Sequence, residues 1–252
     1  METHEELIAH ADRLAEWLRK AVSSSGLSGT VIGISGGIDS ALVAALCRRA
    51  VGDRALGLIM PCQTDPEETE DVRAVAAAVG MSVATVPLDP VYNAFVAALA
   101  AAHPFGAAVD PHAQRLAMAN LKPRLRMMTL YYFANRHRLL VVGTGNRSET
   151  YDGYSTKYGD SGVDVMPIAN LLKREVKVMA RALGIPEKVL AKPPTAGLWP
   201  GQTDENEMGL TYSQLDEYLA TGRAPEEVRD RIERMHRASQ HKRALPPAPP
   251  AS

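Results

Sequence analysis

Gly33, Ile34, Ser35, Gly36, Gly37, Ile38, Asp39 and Ser40 gather in one short run the residue types that hold an anion. The glycines let a backbone turn sharply and approach a ligand. The hydroxyls of Ser35 and Ser40 add donors to the free N–H groups of a helix start, so phosphate is the natural guest. No lysine follows the glycines, so the run is not GxxxxGK[ST], and its spacing is wrong for GxGxxG. Asp39 sets it apart: a carboxylate in a phosphate cradle repels its ligand unless a divalent cation bridges the two, which implies Mg2+. The simpler alternative is a Gly-rich turn with Asp39 as a helix cap. Glu149 lies shortly beyond Gly143, the predicted end of another strand, and can meet Asp39 on one Mg2+ at the carboxyl edge of an open sheet. Lys173 opens a predicted helix, where a positive charge is unfavourable unless it faces an anion; otherwise it is a solvated charge beside Arg174.

These groups need strands behind them, and the hydropathy pattern supplies strands. Residues 30–34 form a β-branched run that reads as a buried strand, followed by a helix over 41–51. The alternation continues with strands at 55–60, 82–88 and 139–142 and helices at 67–79, 91–102 and 114–138. An amphipathic helix opens the chain, its apolar side marked by Leu7, Leu14, Trp17, Leu18 and Val22. Residues 143–162 read as structureless, with a short strand at 163–166 and a helix at 172–183 after them. A Pro/Gly-rich loop at 192–209 precedes two last helices. Strands alternating with helices predict an α/β fold, a doubly wound parallel sheet with flanking helices. One domain over 1–245 is expected, with a disordered Pro-rich tail at 246–252.

Composition narrows the partners. With 28 basic against 29 acidic side chains and a net charge of -1, no global field favours nucleic acid or anionic lipid. Acidic residues throughout the first 25 positions exclude a signal or transit peptide, and the longest uncharged run is broken by Pro90, Pro104 and Gly106, which excludes a membrane span. Cys47 and Cys62 lack CxxC spacing and read as reduced thiols of a cytoplasmic protein.

The run Ser-Gly-Gly-Ile-Asp-Ser after a buried strand resembles the pyrophosphate-binding loop of the ATP pyrophosphatase (PP-loop) group, which adenylates substrates on a Rossmann-like sheet of the adenine nucleotide alpha hydrolase type. Four further segments resemble NAD synthetase: 143–149 (GTGNRSE), 153–160 (GYSTKYGD), 194–205 (PTAGLWPGQTDE) and 240–243 (QHKR). The similarity runs from about residue 5 to 245. The family implies amidation of deamido-NAD by ammonia at the expense of ATP, through an acyl adenylate. It puts residues 33–40, Thr144, Lys173 and Thr195 on ATP and its departing pyrophosphate, and Asp39 and Glu149 on Mg2+. It carries deamido-NAD binding onto Arg124, Lys157, Asp164, His241 and Lys242, and sets Asp160 near the reacting carboxyl. Arg126 is expected to be structural. A homodimer is also implied, and apolar segments at 91–102 and 118–133 are compatible with it. Because the phosphate loop starts at residue 33, with no length before it for a glutaminase domain, free ammonia is the expected nitrogen donor. GTGNRSE and Gly197 depart from many ammonia-dependent members and look more like archaeal-type and glutamine-dependent variants. The alternatives weigh less. A GMP synthetase-like enzyme shares the loop but lacks GYSTKYGD, and a tRNA-modifying relative would be basic and rich in cysteine chemistry. A non-catalytic nucleotide-binding module has no need of Asp39, Glu149 and Lys173 together.

Overall fold

The computed structural model describes residues 3–64, 66–102, 110–199 and 201–249, with the backbone alone at 66–69. Thr3 starts α1 (His4–Ser24) through a capping box: its hydroxyl accepts from the Glu6 N–H, and the Glu6 carboxylate accepts from the Thr3 N–H. The buried face of α1 is Leu7, Ala11, Ala15, Leu18 and Val22. Trp17, predicted on that face, is 48% exposed. It sits one residue, about 100°, off the stripe defined by Leu18 and Val22.

The chain then runs β1 (Gly29–Gly33), α2 (Ile38–Val51), β2 (Ala55–Ile59), α3 (Pro66–Val79), β3 (Ser82–Thr85), α4 (Asp89–Ala101), α5 (Pro111–Ala119), α6 (Leu121–His137), β4 (Leu139–Val141) and α7 (Arg147–Asp152). It closes with α8 (Lys173–Ala182), α9 (Glu187–Leu190), α10 (Asp204–Met208), α11 (Tyr212–Thr221) and α12 (Glu226–Ala238). Among the described residues, four strands form one parallel sheet in the order β3-β2-β1-β4, with Thr30 opposite both Ala55 and Leu140. The alternation of β1 sends Val31 into one core with Leu125, Leu130 and Tyr92, and Ile32 into the other with Leu18, Leu42 and Val176. Burial on both faces is what a helix-covered parallel sheet requires.

Strand order explains where a ligand goes. β1 leads outward to β2 and β3, and the chain then returns to pair β4 on the other side of β1. The carboxyl ends of β1 and β4 therefore flank the switch point of the sheet, the usual crevice of such folds.

Four predicted elements change, the first being the loop at 192–209, which holds the helix α10 at its end. The helix over 114–138 is two helices, because the ring of Pro123 clashes with the carbonyl four residues back and forces α6 to restart. Residues 143–162 are not structureless: Asn146 and Glu149 form a capping box that starts α7. The strand at 163–166 reduces to an isolated parallel bridge, Val142 to Val165. There Asp164 puts its side chain, at 2.8 Å, on the Val141 N–H that a longer ladder would have used. Residues 245–249 have no regular structure, 250–252 lie outside the described residues, and no described helix is long and apolar enough to cross a membrane.

Candidate active site

The loop leaving β1 is built to turn. Gly36 has φ of +76°, in the left-handed region that glycine occupies freely. Ser35 and Ser40 tie the loop on itself: their hydroxyl oxygens are 3.1 Å apart, Ser40 Oγ accepts from the Ser35 N–H at 3.2 Å, and it donates to the Gly37 carbonyl at 3.0 Å. Gly37 is the N-cap of α2 and offers no side-chain oxygen. The first N–H groups of α2 are therefore open to an anion, and the helix dipole adds to the attraction.

Three separated segments then meet. Lys173 Nζ, on the first residue of α8, donates to Asp39 Oδ2 at 2.5 Å and to Glu149 Oε1 at 2.8 Å. Asn146, fully buried, donates from Nδ2 to Asp39 Oδ1 at 2.8 Å and also caps α7, so one side chain fixes both acids. Burial first, then the charge of Asp39, pushes Glu149 up to about 7, against the pull of Lys173. Burial pulls the Lys173 ammonium down, but Asp39 and Glu149 outweigh it and hold it above the ordinary lysine range. Two acids share one ammonium, so the cluster carries an excess of negative charge.

A support layer holds the cluster. Buried Asp216 on α11 accepts from Ser148 Oγ at 2.5 Å, from the Lys173 N–H at 3.3 Å and from the Arg174 N–H at 2.8 Å, capping α8 and tying it to α7. Tyr212, one turn earlier, donates to Asp204 Oδ2 at 3.0 Å, and its oxygen lies 3.4 Å from Glu149 Oε1. Burial, then the charges of Glu149 and Asp204, raises the Tyr212 hydroxyl far above its ordinary range and keeps it protonated. Sequence reasoning passed over all of these as site residues. Asn146 carried a signal, the Asn-x-x-Glu capping pattern. Tyr212 and Asp216 carried none beyond ordinary helix spacing.

The other expected residues fall in two groups. Arg124, Lys157 and His241 come together: Arg124 Nη2 donates to the Lys157 carbonyl at 3.3 Å, and Lys157 Nζ lies 3.4 Å from His241 Nδ1. Asp164 and Lys242 are engaged with the fold instead. Asp164 accepts from Tyr131 and from Val141, and Lys242 Nζ donates to the carbonyls of Gly153 at 2.7 Å and Ser155 at 2.6 Å. Arg126 donates to the Met60 carbonyl at 3.2 Å, the structural use expected of it. Asp160 accepts from the Thr156 N–H at 2.7 Å and is open to solvent on one side. Close surrounding protein raises its carboxyl above the ordinary value, against the lowering pull of that bond. Thr144 is half-buried just past β4, and Thr195 is exposed with its hydroxyl accepting from the Gly197 N–H at 3.1 Å. Beside that loop a cavity of about 320 Å³ is lined by Lys173, Pro194, Glu205 and Tyr212, among others.

Known proteins resemble this chain over nearly its whole length. The model of the NAD synthase family matches residues 10–246. The NH3-dependent NAD+ synthetase of Carboxydothermus hydrogenoformans is 49% identical over 238 residues, 94% of this chain and 96% of that one. Among solved structures, NMN synthetase from Francisella tularensis superposes with a TM-score of 0.89 at 34% identity, covering 99% of each chain. The NH3-dependent NAD synthetase from Campylobacter jejuni does so with a TM-score of 0.77 at 25% identity, covering 99% of this chain and all of that one. A match reaching from α1 past Lys242 takes in the glycine loop, both acids and Lys173 alike, and makes this chain a member of the NAD synthase family.

Proposed function

We infer that the chain is a ligase that amidates deamido-NAD with ammonia, converting ATP to AMP and pyrophosphate. The observation that carries this is the meeting of Asp39, Glu149 and Lys173 beside an uncapped helix start, in a chain 49% identical to an NH3-dependent NAD+ synthetase. A carboxylate does not accept an amine directly, because oxide is a prohibitive leaving group. The nicotinate oxygen instead attacks the α-phosphorus of ATP, the bond to pyrophosphate breaks, and an acyl adenylate forms. Ammonia adds its lone pair to the acyl carbon, AMP leaves with the C–O electron pair, and a proton is lost from nitrogen.

Each residue has a role in that sequence. Residues 33–40 cradle the ATP phosphates, and the open N–H groups at the start of α2 stabilise charge developing on pyrophosphate together with the Lys173 ammonium, with Thr144 and Thr195 as further contacts to ATP. Asp160, its carboxyl already raised, orients ammonia or takes its proton. Arg124, Lys157 and His241 meet the anionic groups of deamido-NAD, while Asp164 and Lys242 shape the same region.

Mg2+ fits the acids. Asp39 and Glu149 converge within 2.8 Å of one atom, and no described cluster of three or more His, Cys, Asp or Glu side chains can hold a metal alone. Two carboxylates that rely on substrate phosphates for the remaining ligands are the usual magnesium arrangement. When bound, the ion would neutralise phosphate charge; Asp39 and Glu149 would hold it, and Asn146 keeps Asp39 aimed.

A homodimer completes the proposal. Val91, Phe95 and Leu99 on α4 and Met128 and Tyr132 on α6 are exposed apolar residues at helical spacing, a surface suited to an isologous contact. Sedimentation at about 27 kDa, the mass of one chain, would reject it. A cytoplasmic location is part of the same reading, supported by the ATP that the reaction consumes. The higher TM-score with the NMN synthetase favours a second reading, in which nicotinate mononucleotide is amidated to NMN. Incubation with MgATP, ammonium and deamido-NAD, in parallel with nicotinate mononucleotide and xanthosine monophosphate, separates these readings by AMP release. AMP released fastest with deamido-NAD is expected; none with it overturns the assignment.

A further inference from the structure

We propose that Tyr212 is a positioning residue for Lys173, an aromatic platform that aims the ammonium at the phosphates of ATP; this rests on the reading of Lys173 given above. Lys173 Nζ lies 4.8 Å from the Tyr212 ring centroid, within the range of a cation–π contact. The ring is itself fixed. It is 5% exposed, packed with Met208, Leu210, Leu215 and Ile232, and its hydroxyl is held by Asp204 Oδ2 at 3.0 Å.

Geometry ties both ends of Lys173 to one helix face. Tyr212 and Asp216 are four residues apart on α11 and so lie on the same side. Asp216 takes the Lys173 backbone N–H, and the Tyr212 ring takes the ammonium. Contact with the ring differs in kind from contact with Asp39 and Glu149. A carboxylate cancels the charge it holds, leaving less for a phosphate. A neutral π-face orients the ammonium and leaves its net charge intact. When Asp39 and Glu149 turn to other partners, the ring still restrains Lys173. The Tyr212 oxygen also sits 3.4 Å from Glu149 Oε1, so the same side chain keeps that acid and the lysine in register.

The test replaces Tyr212 by phenylalanine and by phenylalanines of increasing ring fluorination, which keep the shape of the ring while draining its negative face. For each, kcat, the KM for ATP and for ammonium, the unfolding midpoint and the Kd for inorganic pyrophosphate are measured. Tyr212→Phe is expected to lose about three- to tenfold in kcat with the hydroxyl tether. Across the fluorinated series kcat falls further and the pyrophosphate Kd rises in step, by roughly 2- to 30-fold in total, with midpoints and the KM for ammonium unchanged. A kcat and pyrophosphate Kd that stay flat along the series overturn the proposal, as does a parallel fall in midpoint that accounts for the loss. A wild type that binds pyrophosphate yet releases no AMP from ATP and deamido-NAD overturns the assigned reaction instead, and the binding series still decides the role of Tyr212.

Discussion

Glu149→Gln should make the protein more stable and nearly inactive, and the gain should depend on pH in a fixed direction. Without ligands the cluster has two carboxylates and one ammonium, and Glu149 is raised from 4.5 to about 7 by burial and by Asp39. At about 1.4 kcal/mol per tenfold, that rise corresponds to ~3 kcal/mol as an upper bound. The sign follows from linkage. Between 4.5 and 7 the folded state holds a proton that the unfolded chain has released, so wild-type stability falls as pH rises through that window and levels off above it. Glutamine does not titrate, and it leaves Asp39 and Lys173 as a balanced pair. The variant should therefore match the wild type to within about 1 kcal/mol at pH 5 and exceed it by ~1–3 kcal/mol at pH 8. In a chain of this size that is a midpoint difference of roughly 2–10 °C. Urea unfolding at several pH values, without nucleotide or divalent cation, measures it. The same variant should lose about 100-fold or more in kcat, having lost one acid of the site. An advantage that is absent at pH 8, or larger at pH 5 than at pH 8, refutes the charge-excess account.

Lys173→Met should do the reverse, destabilising by ~3–5 kcal/mol at pH 8 because two buried acids lose their cation, and by less at pH 6, where Glu149 can take a proton; urea midpoints at both pH values show this. Asp216→Ala removes the cap shared by Lys173, Arg174 and Ser148 and should cost ~2–4 kcal/mol in denaturant unfolding, with Asp216→Asn recovering part. Gly36→Ala puts a Cβ at φ of +76°, with an expected cost of about 1–2 kcal/mol and a KM for ATP raised at least fivefold in initial-rate assays. Lys242→Met frees the carbonyls of Gly153 and Ser155 and should raise the KM for deamido-NAD about tenfold while leaving that for ATP within twofold.

What the sequence discloses and what it withholds divide along physical lines. Residues 30–33 announce β1 by β-branching and burial, and the alternation that follows implies a parallel sheet with its crevice at strand ends. That rule alone brings Asp39 and Glu149 to one place, and Lys173 joins them across 134 residues of chain because a cation at a helix start needs an anion. Strand edges fail where a side chain replaces a backbone partner, as Asp164 does at Val141, since the hydropathy of 163–166 is the same either way. Tyr212 and Asp216 fail for another reason. On an amphipathic helix an inward tyrosine reads as core, and only the folded chain reveals that its ring faces an ammonium and its oxygen a carboxylate 63 residues away. Groups that bind substrate leave local signatures because backbone and charge must be arranged around an anion. The groups on α11 that aim them leave none, because their partners are set by packing between distant helices. The layer most dependent on tertiary contact, α11 against α7 and α8, is thus where substitutions should shift kcat without altering any recognisable motif.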